Sequence, residues 1–493
     1  MKNHSPSNSI NPAIIGGGYA GMAAAISLTE RGIPVTVFES ARQLGGRARG
    51  VCISNLLPTE EAHATPSIQL SPAIPSPQSS PASGRGSERE SQSGILGGKG
   101  KRPLPGDALI LDNGQHLLLG CYRETLRLIA LAGGDPEQDF LRLPLQLDLH
   151  GHFSLKAPRL PAPLHLLVAL FKAQGLTLRE RMKAVRFMLT LRSMNFRLPD
   201  DMSVSALLAR HGQDADLTFK LWEPLCIAAL NTPIHKASAQ VLLNVLRDAL
   251  NRSRADSDML LPRVDFTALF PQRAADYVEK RGGKVLLSCG VEAIVPRGDE
   301  FELLTKQGMQ HFSHVICAAP PGIAAKLLRP LPALAETVQE IAALEQQPIH
   351  TVYLQYPPQV KLPHPMLGLH HRFSQWLFDK GQIASQHGLL AAVISAEGAH
   401  QELDQNELAQ KVIAELREEF GIADAPQWFK VIAEKRATFA CTPGLQRPPQ
   451  QTVQPGLLLA GDYTAGDYPA TLEGAVMSGV RCAGLIQFKR NNS

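Results

Sequence analysis

Residues 13–39 constrain the fold more than any other stretch. Ala13-Ile14-Ile15 is a short apolar run that stops in Gly16-Gly17-Gly18-Tyr19-Ala20-Gly21. Met22 to Arg31 is Ala-rich and helical in pattern, with Gly32 as its stop. Ile33-Pro34-Val35-Thr36-Val37-Phe38 is rich in β-branched residues, as a buried parallel strand would be. Strand, glycine turn, helix and strand make a βαβ unit. Within its G-x-G-x-x-G spacing, Gly16 allows the tight turn, Gly18 leaves room for a pyrophosphate and Gly21 lets helix and strand pack closely. The helix N-terminus then offers free N–H groups and a positive dipole end to phosphate. Glu39 ends the second strand where a ribose contact is expected. Gly16, Gly18, Tyr19, Ala20, Gly21 and Glu39 are therefore expected to bind a dinucleotide.

The rest of the composition sets bounds. At 493 residues with 44% hydrophobic and 19% charged, the chain has room for two or three packed units. A disulfide-stapled mini-protein and a wholly disordered chain are excluded. Lys+Arg 49 against Asp+Glu 45 gives a net charge of +4, which is no argument for a nucleic-acid partner. Seven cysteines, with no C-x-x-C pair, indicate neither a disulfide framework nor a metal site, and fit a reducing cytoplasmic setting. Met1 to Asn11 is polar, so no signal peptide is expected, and no run reaches the ~18 apolar residues of a membrane span.

Along the chain the expected fold class is α/β: a Rossmann-like domain assembled from distant segments, with an inserted α+β substrate domain and a helical, membrane-facing region. The first segment is residues 1–53. Residues 54–106, dominated by Pro, Ser, Gly and Gln, read as a disordered insertion, because they cannot bury enough apolar area to offset their ordering entropy. Substrate-side strands and loops are expected over 107–155, and a helical region over 156–255. The dinucleotide domain is expected to resume over 256–320 and the substrate domain over 321–450. A buried strand at Gly456-Leu-Leu-Leu-Ala-Gly and a helix over 470–487 return the chain to the dinucleotide domain over 451–493.

Further motifs narrow the cofactor. Arg42 and Leu44-Gly45-Gly46-Arg47 follow Glu39 directly and would bring backbone and a cation near the diphosphate. Near the C-terminus stand Gly461-Asp462-Tyr463 and Pro469-Ala470-Thr471-Leu472-Glu473-Gly474-Ala475, and between the two lies Gly290-Val291-Glu292-Ala293-Ile294. Together these resemble the FAD fingerprint of the flavin amine oxidase and phytoene desaturase superfamily, whose FAD domain is of the glutathione-reductase type. The resemblance implies FAD. It implies contacts from Gly45, Gly46, Arg47, Gly461 and Asp462, places Val291 beside the adenine, and sets the helix starting at Thr471 and Leu472 under the pyrimidine end of the flavin. That placement is physically sensible, since a helix N-terminus favours the negative charge of reduced flavin.

Asp112-Asn113-Gly114-Gln115-His116, then Gly120-Cys121-Tyr122-Arg123-Glu124-Thr125, is similar to the hydroxysqualene dehydroxylase family. The resemblance runs from residue 12 to 487, apart from the Pro/Ser-rich insertion. It implies that Asn113, Gly114 and Gln115 pass near the flavin. It also implies reductive removal of a hydroxyl from hydroxysqualene to give squalene, on the route to hopanoids. Ionising an allylic alcohol needs a proton on the leaving oxygen. The cation must be kept dry. His116 and Asp112 are the candidate catalytic residues, with Tyr463, Asp467 and Tyr468 on the other side of the flavin. The partners implied are a long-chain isoprenoid and an external electron donor; the sequence says nothing of oligomeric state. A phytoene-type carotenoid desaturase or isomerase stays open as an alternative. Behind it stand a flavin amine oxidase and a non-catalytic escort of prenylated proteins.

Lys156 to Arg197 holds nine basic residues and one acid, Glu180, interleaved with Leu, Val, Phe and Met. Such a segment can lie on anionic lipid, as part of a peripheral protein on the inner face of the cytoplasmic membrane, can close the substrate pocket with solvated basic faces, or can do both.

Overall fold

The computed structural model describes residues 10–53 and 109–487. The Pro/Ser-rich insertion expected over 54–106 lies outside the described residues. The strands that flank it, Gly50–Ile53 and Leu109–Asp112, pair antiparallel, with Ile53 opposite Leu109.

A five-stranded parallel sheet is built from three distant stretches of chain. Its order is Lys284–Leu286, Thr36–Phe38, Pro12–Ile15, His314–Cys317 and Leu457–Leu459. The second strand is shorter than the apolar run suggests and begins at Thr36, past Pro34, which has no N–H for the ladder. Residues 284–297 serve two sheets. Lys284–Leu286 joins this sheet, and Val291–Arg297 opens a three-stranded antiparallel meander with Glu300–Thr305 and Gly308–Phe312. The meander leans on the parallel sheet through the edge-on contact of Phe312 and Phe38, with ring centroids 5.6 Å apart.

The helix Tyr19–Glu30 is buried from Tyr19 to Thr29. Its alanines let neighbours approach on several sides. The closest neighbour is the last helix, Leu472–Leu485, where a side chain at Gly479 would meet the Ala20 carbonyl oxygen at 2.1 Å. The two ends of the chain are therefore packed backbone to backbone.

Between the stretches of the parallel sheet stands a seven-stranded sheet. Its order is Trp428–Phe439, Gln346–Gln355, Leu389–Ser395, Trp376–Asp379, Met366–Gly368, Gln146–Leu149 and Phe153–Lys156. It is antiparallel except where Gly368 meets Leu149. Helix Gln405–Phe420 starts on an Asp404/Glu407 capping box, ends at left-handed Gly421 and buries Leu408, Val412 and Leu416 against this sheet.

A helical layer covers residues 164–250: Leu164–Lys172, Leu178–Ser193, Val204–Arg210, Glu223–Leu230 and Ala239–Leu250. Buried Asn231 fastens it to the sheet. Its amide donates to the Pro348 carbonyl (3.2 Å) and Thr438 Oγ1 (2.8 Å), and its carbonyl accepts from the Ala396 N–H (2.6 Å). The α/β class with an inserted sheet and helices is as expected from sequence. No helix among the described residues is long and apolar enough to cross a membrane.

Gly479→Val should force the two terminal helices apart and cost about 1–3 kcal/mol, as overpacking does. Thermal unfolding of Gly479→Val beside Gly484→Ala checks this, since nothing lies within 4 Å of a side chain at 484 and that variant should lose no stability.

Candidate active site

The glycine loop sits at the carboxyl end of the first parallel strand, where ligands bind in such sheets. Gly16 has φ +111°, and a side chain there would strike the Ala318 carbonyl oxygen at 2.6 Å. A side chain at Gly21 would overlap the Gly16 oxygen at 1.9 Å. Packing therefore explains both glycines. It does not explain Gly18, where the nearest atom to an added Cβ is 3.8 Å away, on Gly45. Gly18 lines a cradle that a side chain would begin to fill, and its residue type fits a phosphate-bearing group.

The second glycine pair closes that cradle. The Gly45 N–H donates to the Gly17 carbonyl at 3.0 Å, and Gly18 and Gly45 form a parallel bridge. Gly45 needs its φ of +112° to do so. Glu39 is buried and accepts from the Gly17 N–H (2.7 Å) and the Ala41 N–H (2.8 Å). It thus holds the glycine loop from the end of the second strand. The turn before Val291 lies against the same place, through Cys289 N–H to the Glu39 carbonyl (2.8 Å) and Ser288 N–H to the Ala41 carbonyl (2.8 Å).

Arg47 reaches across to the C-terminal stretch. Its guanidinium donates to Asp462 Oδ1 (2.5 Å) and to the Ala437 carbonyl (2.8 Å). The Gly461-Asp462 turn is clamped from the last helix by Ser478 Oγ, which accepts from the Gly461 N–H at 3.0 Å and contacts Thr464 Oγ1 at 2.7 Å. Thr471 caps that helix by accepting from the Gly474 N–H (3.1 Å), which leaves Leu472 in its first turn. Glu473, next in line, turns away and accepts from the Glu124 and Thr125 N–H groups at 3.0 and 2.9 Å, so it caps helix Arg123–Leu131.

The 112–116 segment leaves strand Leu109–Asp112 and is bonded to the seven-stranded sheet and to the helix that starts at Phe266. Tyr353 of the seven-stranded sheet donates its hydroxyl to the Asp112 carbonyl at 2.9 Å, and Asp112 Oδ1 accepts from the Phe266 N–H at 2.9 Å. Asn113 exchanges two bonds with the Arg49 backbone: its Oδ1 accepts from the Arg49 N–H (3.0 Å) and its N–H donates to the Arg49 carbonyl (2.9 Å). Buried Lys380 donates to Gln115 Oε1 at 3.2 Å and stands 3.9 Å from Asp112 Oδ2. Burial pushes the Asp112 carboxyl up to about 6, and Lys380 and the Phe266 N–H oppose that rise. Burial also draws Lys380 below its ordinary value.

His116 follows Gln115 and packs edge-on against Phe266, with centroids 5.0 Å apart. A side chain at Gly114 would touch its Nε2 at 3.6 Å. Burial first, and the Arg47 charge second, lower its imidazole to about 4. It is neutral at neutral pH and can offer an N–H but no stored proton. Of the groups expected on the far side, Tyr463 is buried, and its hydroxyl has no partner among the described residues. Tyr468 donates to Asp248 at 3.0 Å, and Asp467 is exposed, 3.6 Å from Arg247.

The structure thus gathers the three fingerprint stretches at one seam. Sequence reasoning missed Lys380, Tyr353 and Arg447. Arg447 holds the 462–468 loop by donating to the carbonyls of Asp462 (3.3 Å), Tyr468 (2.9 Å) and Gly466. A lysine in an apolar stretch, Trp376 to Lys380, was the one available signal for the first.

Residues 95–487 match the family described as flavin containing amine oxidoreductase, and residues 14–61 match an NAD(P)-binding Rossmann-like domain. The chain belongs to the flavin containing amine oxidoreductase family, and it is an FAD-dependent oxidoreductase. It is similar to a hydroxysqualene dehydroxylase of Rhodopseudomonas palustris, at 27% identity over 96% of this chain and 97% of the relative. A hydroxysqualene dehydroxylase of Sinorhizobium fredii is 26% identical over 98% of this chain and 99% of the relative. The zeta-carotene desaturase of Zea mays is 23% identical over 96% of this chain and 83% of the relative. Among solved structures, an oxidoreductase from Methanosarcina mazei superposes with a TM-score of 0.67 at 12% identity, covering 97% of this chain and 100% of that one. Cyclohexylamine oxidase from Brevibacterium oxydans gives 0.61 at 16%, covering 97% and 98%. At such identities the structures speak for the fold.

Lys380→Met strands the Asp112 carboxylate and should cost about 3–5 kcal/mol near neutral pH, as breaking a buried pair does. Without Lys380, the Asp112 carboxyl rises further above its unfolded value of 3.8. A raised carboxyl contributes stability below the unfolded value and loses it as pH climbs through the folded one. The deficit should therefore be small near pH 4 and grow towards pH 8, and Asp112→Asn in the same chain should remove most of it. Denaturant unfolding of the three proteins across that range checks the sign.

Proposed function

We propose that this enzyme removes the hydroxyl of hydroxysqualene reductively to give squalene, in the route to hopanoids. The observation that carries the reading is near-full-length similarity to hydroxysqualene dehydroxylases, joined to a seam built as an FAD cradle. In this reading residues 1–53, 256–320 and 451–493 hold the cofactor. Residues 107–155 and 321–450 shape the substrate side, with 156–255 over it and 54–106 as an insertion.

Gly16, Gly18 and Gly21, with the helix start at Tyr19 and Ala20, take the diphosphate. Glu39 takes a ribose, and Val291 borders the adenine. Gly45, Gly46, Arg47, Gly461 and Asp462 close over the middle of the cofactor. Asn113, Gly114 and Gln115 border the flavin, and Thr471 and Leu472 bring a helix N-terminus to it. Reduced FAD would supply hydride to an allylic cation.

The protein's own part is to orient and to exclude water. One proton must be added for the hydroxyl to leave as water. That proton is drawn from solvent and relayed through the neutral His116 imidazole, which takes it on one ring nitrogen as the other passes its own to the leaving oxygen, while Asp112, held by Phe266 and Lys380, fixes the segment. The substrate is an oil, so it arrives from a lipid phase, and the enzyme works as a peripheral protein on the cytoplasmic face of a membrane. The electron donor is external.

Anaerobic incubation with FAD, a chemical reductant and hydroxysqualene should yield squalene. Recovered hydroxysqualene, with new double bonds appearing when phytoene or zeta-carotene is offered to the oxidised enzyme, would assign a desaturase instead. Glu39→Ala should weaken FAD by about 10- to 100-fold, the worth of about 1.5–3 kcal/mol for a hydrogen bond to a charged acceptor. Flavin fluorescence titration reads this. His116→Ala should slow turnover and leave flavin content unchanged; equal turnover would remove His116 from the reaction.

A further inference from the structure

Helices Leu164–Lys172 and Leu178–Ser193 each carry two apolar stripes, where packing needs one. In the longer helix Ala184, Phe187, Met188 and Leu191 are buried and face the core. At about 100° per residue, Leu178, Met182 and Leu189 fall within about 40° of arc on the far side. Leu178, Met182 and Leu189 are 62%, 51% and 50% exposed. The shorter helix repeats the arrangement: Leu166, Ala169 and Leu170 are buried, while Leu164 and Phe171 are each 52% exposed. Five of the thirteen exposed large apolar side chains among the described residues sit on these two helices.

The stripes adjoin. Arg181 of the second helix donates to the Phe171 carbonyl of the first at 3.1 Å and to the Leu176 carbonyl of the turn between them at 3.1 Å. Charge borders them on both sides. On the same helical projection Arg179 and Arg186 flank the outer stripe on one edge, and Arg181 and Arg192 on the other. Lys172 ends the first helix. Arg179, Arg186, Arg192 and Lys172 have no ion-pair partner among the described residues. The one acid of the segment, Glu180, is turned inward: it accepts from the Thr177 N–H (2.6 Å) and Oγ1 (2.8 Å) in a capping box.

We infer that this face seats on an anionic lipid bilayer, the apolar stripes entering the acyl boundary and the arginines meeting lipid phosphates. Charge complementarity selects the occupant. An outward apolar stripe with cations on both edges and no free acid fits a surface that is oily within and negative at its rim. An acidic peptide would not require exposed leucine, methionine and phenylalanine on two adjoining helices, and a second copy of this face would bring like charges together. The assignment deepens the peripheral placement proposed above and rests on it. Its test uses no substrate, so its failure leaves the squalene reading standing, and the failure of that reading leaves this one.

The test is flotation of the full-length, FAD-loaded protein with vesicles of phosphatidylcholine alone, or of phosphatidylcholine mixed with phosphatidylglycerol. The wild type should float with the anionic vesicles, less so as salt is raised. Arg179→Gln, Arg186→Gln and Arg192→Gln combined should weaken that partition roughly a hundredfold, with flavin content and thermal unfolding unchanged. Leu178→Gln, Met182→Gln and Leu189→Gln combined should abolish it, and Leu178→Gln alone reads the same loss if the combined protein does not fold. Equal binding by the wild type and the arginine variant overturns the inference. So does wild-type indifference to lipid charge, or a dimer in lipid-free solution that the leucine variant converts to monomer.

Discussion

The Arg47–Asp462 ion pair is the constraint on which the rest of the site depends. It joins residues 415 apart in sequence, at 2.5 Å, across the mouth of the glycine cradle. Neither partner belongs to a strand of the parallel sheet, so the sheet alone would not bring them together. Gly45 on Gly17, Ser478 on Gly461 and Gly479 on Ala20 do that work, each by removing a side chain or supplying a hydroxyl where two backbones meet. The site is a seam between stretches from opposite halves of the chain.

A second buried pair organises the substrate side. Lys380 and Asp112 are both almost fully buried, a costly arrangement for charges unless further bonds satisfy them. Gln115 supplies such a bond to Lys380 and the Phe266 N–H to Asp112, while Tyr353 ties the Asp112 backbone to the seven-stranded sheet. His116 emerges from this fixed segment beside Phe266 with its imidazole neutral. A rigid backbone presenting one uncharged polar ring suits chemistry that must place a leaving oxygen and keep water out.

Much of this was legible in the sequence because the signals are local. Ala13 to Phe38 carries its periodicity and its glycines within one supersecondary unit, and apolar residues at helical spacing from Arg179 and from Glu407 mark the helices that the structure places at Leu178–Ser193 and Gln405–Phe420. The seven-stranded sheet was not legible strand by strand. Met366–Gly368 is too short to show alternation, and Trp428–Phe439 pairs with Gln346–Gln355 through a register shift at Gln347. Its partners are chosen by packing across the domain, which no window of sequence contains. The same holds for the site. Its glycines and Glu39 are marked by spacing, whereas Lys380, Tyr353 and Arg447 act on backbone and side chains hundreds of residues away or around one loop, with no motif of their own. The amphipathic reading of 156–197 was available, but only the fold reveals that a second apolar stripe faces outward.

The two ends of the chain are proposed to close together on one FAD. That closure is tested most directly by a double-mutant cycle on FAD affinity, with Arg47→Met, Asp462→Asn and both together, read by flavin fluorescence. Each single change should weaken binding by about tenfold or more, and the pair should lose little beyond either one, because the two side chains act as a unit. Losses that simply multiply, or wild-type affinity in either single variant, would contradict it.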